Sequence, residues 1–154
     1  MFWIRRKWQY VETVLELVFR RPVLGIGVIP LLPDGSIALI LRRDTGKWAI
    51  PGGFVNWGED IPTAANRELV EETGLEMVKV NRLVGTYSEQ YRDPRLHSIC
   101  VVLAAEVQGE LIIQDTLEVE EVKAFAPDNL PLGNLSFDHD RQLKDYLAGV
   151  TIVA

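Results

Sequence analysis

The chain is poor in the residues that staple or anchor small proteins. Its 154 residues include one cysteine, Cys100, and two histidines. One thiol excludes an internal disulfide and a multi-cysteine zinc site. Cys100 sits inside the apolar run 99–105, where a buried structural thiol is the expected reading rather than a nucleophile. No apolar stretch approaches the roughly 18 residues that would suggest a membrane span. Arg5, Arg6 and Lys7 open the chain, but Glu12 and Glu16 follow, which is not the pattern of a signal peptide, so a cytoplasmic protein is expected. Basic tracts are missing too. Lys and Arg number 16 against 22 Asp and Glu, a net charge of −6. Nucleic-acid binding is therefore not expected, and an anionic substrate would need local neutralisation by a metal or a few arginines. No repeat, low-complexity tract or linker divides the chain.

What is present is an ordinary globular composition, 47% hydrophobic and 25% charged, enough for one domain with a core. Trp8, Val11, Leu15 and Val18 recur at helical spacing before Pro22, predicting an amphipathic helix over 8–20 within an N-terminal extension, residues 1–22. Its flanking arginines would allow contact with a membrane surface, but packing on the domain or on a second subunit is the expectation. The remaining residues, 23–154, form the main domain. Residues 23–32 and 37–41 read as strands joined by the turn Pro33-Asp34-Gly35. Residues 48–50 form a short strand. Asp60 caps and Pro62 opens a helix that runs to Thr73, with Gly74 as its stop. Residues 76–86, 97–107 and 119–125 read as strands, and 138–147 as a closing helix. Strands and helices alternate without a regular βαβ rhythm, which implies a mixed sheet with helices on both faces.

The chemistry concentrates in one segment, from Gly53 to Leu75. In a helix, Glu68, Glu71 and Glu72 are related by i,i+3 and i,i+4 and share a face. Each like-charge pair costs roughly 0.2–0.5 kcal/mol there. A set of hard oxygen donors suits Mg²⁺ or Mn²⁺. Arg67 lies i,i+4 from Glu71 and beside Glu68, placed to hold a carboxylate. Leu69 and Val70 point to the core, and Leu75 starts the next strand.

The whole pattern is Gly53, five residues, Glu59, seven residues, then Arg67-Glu68-Leu69-Val70-Glu71-Glu72-Thr73-Gly74-Leu75. It resembles the box of the Nudix hydrolases at every fixed position. The resemblance implies an α/β fold, an α/β/α sandwich around a mixed sheet. It also implies divalent-metal-dependent hydrolysis of a phosphoanhydride in a nucleoside diphosphate derivative. By that analogy Glu68, Glu71, Glu72 and the carbonyl of Gly53 (or its neighbour Gly52) hold the metal. Glu59 braces the loop. The general base is Glu68 or a loop glutamate among Glu118, Glu120 and Glu121, of which Glu121 is the expected loop choice.

Two further stretches, Arg92-Asp93-Pro94-Arg95 with His97, and Phe137-Asp138-His139, resemble the ADP-ribose-directed branch. Arg92, Arg95 and His97 are the expected phosphate contacts, and Tyr87 or Tyr91 the expected adenine platform. ADP-ribose, cleaved to AMP and ribose 5-phosphate, is the leading substrate. A proline that some ADP-ribose pyrophosphatases carry beyond the box is absent. Tyr91 stands in its place, a feature of the dinucleoside-polyphosphate branch. Dinucleoside polyphosphates or damaged nucleoside triphosphates remain alternatives, as does a non-catalytic ADP-ribose sensor. A nucleotide-type partner is expected, and a homodimer is left open.

Overall fold

The computed structural model describes residues 21–154 together with Val11, Thr13 and Leu15. Apart from those three helical positions, the expected helix over 8–20 lies outside the described residues. The elements run β1 (Val23–Leu31), β2 (Ile37–Arg42), β3 (Trp48–Ala49), β4 (Gly52–Phe54), α1 (Ile61–Thr73), β5 (Leu75–Tyr87), β6 (Ser98–Gly109), β7 (Val119–Phe125), α2 (His139–Leu147) and β8 (Ile152–Val153). The main spine of the sheet is β3-β2-β1-β6-β5-β8, with β4 added on β1 and β7 on β2. β1 runs parallel to β6, while β5 and β6 form a long antiparallel pair. This is the mixed sheet expected from the sequence.

Alternation along the strands sends side chains to two separate cores. Ile26 and Val28 of β1 pack with Leu103 and Ala105 of β6 against Ala64 and Ala65 of α1. Ile29, Val102 and Ala104 face the other way, with Val84 and with Leu143 of α2. The two helices therefore cover opposite faces, and the domain is an α/β/α sandwich. No helix among the described residues is long and apolar enough to cross a membrane.

Helix α1 begins and ends where local chemistry says it should. The Asp60 carboxylate accepts the Thr63 N–H at 2.9 Å, satisfying an amide that has no partner within the helix. At the other end Gly74 takes a left-handed conformation, φ 76°, and its N–H reaches the Val70 carbonyl. Leu69 is fully buried with Ala38, Leu75 and Val107, fixing which side of α1 faces the sheet.

β4 is laid closely against β1 and against the Glu68 carboxylate, at two glycines. A Cβ at Gly52 would overlap the Ile26 carbonyl oxygen, and one at Gly53 would overlap the Glu68 carboxylate. The registers Ile26↔Gly53 and Gly27↔Gly52, with the Val28 N–H donating to the Pro51 carbonyl at 2.9 Å, hold this strand in place.

Candidate active site

Helix α1 and strand β4 together build an acidic edge. Glu72 is 2% exposed and accepts the Gly52 N–H at 2.8 Å. Glu68 is partly buried against the Gly53 backbone, and Glu71 is exposed. Burial pushes the Glu72 carboxyl up to about 8, the nearby Glu68 and Glu118 charges adding to it. Burial also raises Glu68, against the pull of Arg67.

Arg67 is the organiser of this edge. Its guanidinium donates to both Glu59 oxygens at 2.7 and 3.0 Å, to Glu68 at 2.6 Å, to Glu71 at 3.4 Å and to the Phe54 carbonyl at 2.9 Å. Glu59 also accepts the Asn56 N–H at 2.9 Å, closing the loop between β4 and α1. Hydrogen bonds from Arg67 and Asn56 hold the Glu59 carboxyl down at about 2. Helix, loop and strand are thus tied through one side chain.

The edge borders a cleft of about 350 Å³, within the range of small-ligand sites. Gly25 and Gly27 of β1 leave part of its lining without side chains. The cleft divides chemically. Glu68, Glu71, Asp115 and Glu118 line it, as do Arg42, Arg92, Arg95, Phe137 and His139.

Among the expected substrate contacts, Arg92 and Arg95 line this cleft. The other three do not. Tyr87 is 1% exposed, buried in the core, with its hydroxyl donating to Asp145 at 2.9 Å, so its ring has no face to offer a base. Tyr91 is 85% exposed and stands outside the lining. His97 is exposed and meets the Ser88 carbonyl at 3.1 Å. Glu121 is also displaced from the expected role: it sits opposite Leu41 in the β2–β7 pair, exposed and off the cleft. The loop glutamate in the cleft is Glu118, whose N–H is anchored by the Asp115 carboxylate at 3.2 Å. The β-bulge between Leu41 and Arg42 shifts the strand register next to it.

Arg42, Asp115 and Cys100 also line the site, and no sequence pattern singled them out for it. Burial pushes the Cys100 thiol up to about 11, which keeps it protonated and unreactive.

His139 is held neutral. Its Nδ1 accepts the Ile50 N–H at 2.9 Å. Burial, helped by the Arg42 and Arg92 charges, pulls it from its ordinary 6.5 to about 3. Above pH 6.5 the imidazole is neutral folded or unfolded and stability does not respond. Below it the unfolded chain takes a proton that the folded chain refuses, so stability is lost as pH falls from about 6.5 to about 3. His139→Asn, which keeps an acceptor for Ile50, is expected to flatten this acid slope in urea titrations at stepped pH. An unchanged slope would show that the imidazole titrates normally.

The sequence profile of the NUDIX domain matches residues 21–146. The chain belongs to the Nudix family of hydrolases. It is 44% identical over 118 residues to the ADP-ribose pyrophosphatase of Methanocaldococcus jannaschii, covering 74% of this chain and 67% of that one. A putative 8-oxo-dGTP diphosphatase of Bacillus subtilis is 30% identical over 125 residues, covering 81% and 80%. In three dimensions it is similar to a MutT Nudix hydrolase of Burkholderia pseudomallei, with a TM-score of 0.71, 29% identity, and coverage of 81% and 98%.

Nudix hydrolases generally use divalent metals, and the donor set here suits one: carboxylates only, beside a glycine backbone that carries no side chain of its own. Among the described residues no three such groups converge on one point, since Glu72 is turned to the Gly52 amide and Glu68 to Arg67. The residues fit the ion in kind and neighbourhood, in an arrangement held by hydrogen bonds.

Proposed function

We propose that this Nudix hydrolase cleaves the phosphoanhydride of a nucleoside diphosphate derivative, ADP-ribose being the substrate, to AMP and ribose 5-phosphate. The observation that carries the reading is the placement of Glu68 and Glu72 against the Gly52–Gly53 backbone, with Glu68 and Glu71 lining a cleft of about 350 Å³. The similarity to an ADP-ribose pyrophosphatase supports the choice of substrate. Glu68, Glu71, Glu72 and the Gly53 carbonyl would hold Mg²⁺ or Mn²⁺. Bound there, the ion would supply neutralisation of phosphate oxygens and a lowered pKa for water.

The chain's own residues do the rest. Arg67 and Glu59 keep the carboxylates at the edge of the cleft. Glu118, rather than Glu121, is the loop group placed to accept the proton of the attacking water, with Glu68 as the helix alternative. Water adds its oxygen to one phosphorus. The bridging oxygen leaves with the other phosphate.

The test is a substrate panel assayed with Mg²⁺ and with Mn²⁺: ADP-ribose, diadenosine polyphosphates and nucleoside triphosphates, 8-oxo-dGTP among them. Preferential cleavage of ADP-ribose is expected. Efficient cleavage of another member with ADP-ribose untouched would replace the substrate, and the 8-oxo-dGTP reading has a relative behind it. Tight ADP-ribose binding with no turnover of anything would point to a sensor.

A further inference from the structure

Phe137 is the one residue other than glycine with positive φ among the described residues, at 53°. For a bulky aromatic this is a strained conformation, and such strain persists only where the surroundings enforce it. Here they do. The Ser136 N–H donates to the Trp48 carbonyl at 2.8 Å, the Trp48 N–H donates to Asn134 at 3.2 Å, and the Ser136 and Thr45 hydroxyls meet at 2.7 Å. The segment is stitched to β3 on one side and enters α2 on the other. The result places the Phe137 ring under the Arg95 guanidinium, 4.5 Å from its centroid, with Arg42 at 5.4 Å.

The arginines at this corner are all answered by aspartates. Arg42 forms a bidentate pair with Asp44 at 2.9 and 2.8 Å, and Arg95 another with Asp93 at 3.0 and 2.8 Å. Arg92 pairs with Asp138 at 3.1 Å. Three cations facing three anions make no surplus charge to hold a phosphate. They make flat, polar surfaces suited to stacking. Arg95 is 48% exposed, so its guanidinium can take a further planar layer.

His139 adds a directional group. Because Nδ1 accepts from Ile50, the ring proton of the neutral imidazole is on Nε2. Among the described residues no hydrogen bond takes up that hydrogen, and the ring lines the cleft.

We infer that the Phe137–Arg95–His139 corner binds the uncharged planar ring of the nucleotide, a nucleobase, with His139 donating Nε2–H to an acceptor on that ring. The corner is a base subsite, not a second phosphate site. The inference rests on the nucleotide reading of the cleft.

The experiment is calorimetric titration of AMP, ribose 5-phosphate and adenosine 2′,5′-bisphosphate into the full chain. AMP is expected to bind at least about tenfold tighter than ribose 5-phosphate, the scale of one good hydrogen bond and a stacking contact. His139→Asn is expected to lower AMP affinity by about tenfold and leave ribose 5-phosphate unchanged. Phe137→Gly keeps a backbone compatible with positive φ, so it should fold, and it too should erase the preference for AMP. Equal binding of AMP and ribose 5-phosphate overturns the inference. So does AMP binding that neither folded variant alters, or a bisphosphate that binds more than tenfold tighter than AMP. Binding is read without turnover, so failure to cleave ADP-ribose would sink that substrate while leaving a base preference intact. A chain that cleaves ADP-ribose without base preference overturns this inference alone.

Discussion

Glu72→Gln is expected to leave the chain folded and lower its turnover by at least about 100-fold, the upper scale seen when the support of a metal site is removed. The two halves of that result have separate causes. A glutamine oxygen can still accept the Gly52 N–H, so the bond between α1 and β4 survives. A neutral amide also suits a site where burial already pushes the carboxyl up to about 8. What is lost is the negative oxygen that a divalent cation needs. Glu71→Gln should show the same loss of turnover, since Glu71 is exposed and carries little of the fold. The measurements are initial rates across a Mg²⁺ titration, with thermal melting alongside. Near-normal rates with either variant would remove Glu71 or Glu72 from the proposed ligand set. A large fall in melting temperature would show that Glu72 is structural first.

The opposite signature is expected one position after Glu68. Leu69→Ala should cost about 2–5 kcal/mol of stability, the range for truncating a fully buried leucine in a core that only partly collapses. Leu69 is buried between α1 and the sheet with Ala38, Leu75 and Val107. For a domain of this size that is a large part of the total. Turnover per folded molecule should change little, because Leu69 faces away from the cleft. Denaturant midpoints with kcat corrected for the folded fraction test this. A stable variant with lost turnover would mean that Leu69 sets the position of Glu68 rather than the stability of the core.

Much of the frame was legible before any coordinates. The limits of α1 follow from Asp60, Pro62 and Gly74, whose effects are local: an acceptor for a free amide, a fixed φ and a left-handed cap. The strands at 23–31 and 37–42 follow from branched apolar runs on either side of a turn. The Nudix box placed the carboxylates and Arg67, because helical spacing alone puts them on one side. The rest of the cleft was not legible. Tyr87 and Tyr91 read alike in sequence as aromatic platforms. The first is packed beneath α2 with its hydroxyl on Asp145, and the second lies outside the cleft. Glu118 and Glu121 sit in one acidic run, and a loop anchored by Asp115 and a bulge against β2 decide which of them reaches the site.

By itself, then, the sequence determined the chemistry: a set of hard oxygen donors on a helix, an arginine to order them, and glycines that let a strand come close. These depend on spacings of a few residues, where backbone geometry allows few alternatives. Tertiary structure alone decided the depth of each carboxylate, Glu72 buried and Glu71 exposed, and the balance of charge around the cleft. Arg92 and Arg95 look like phosphate contacts in the sequence. Asp93 answers Arg95 from two residues away, while Asp138 reaches Arg92 from the start of α2. Arg92 and Asp138 lie 46 residues apart along the chain and meet only when α2 covers its face of the sheet, so no local pattern records that pair.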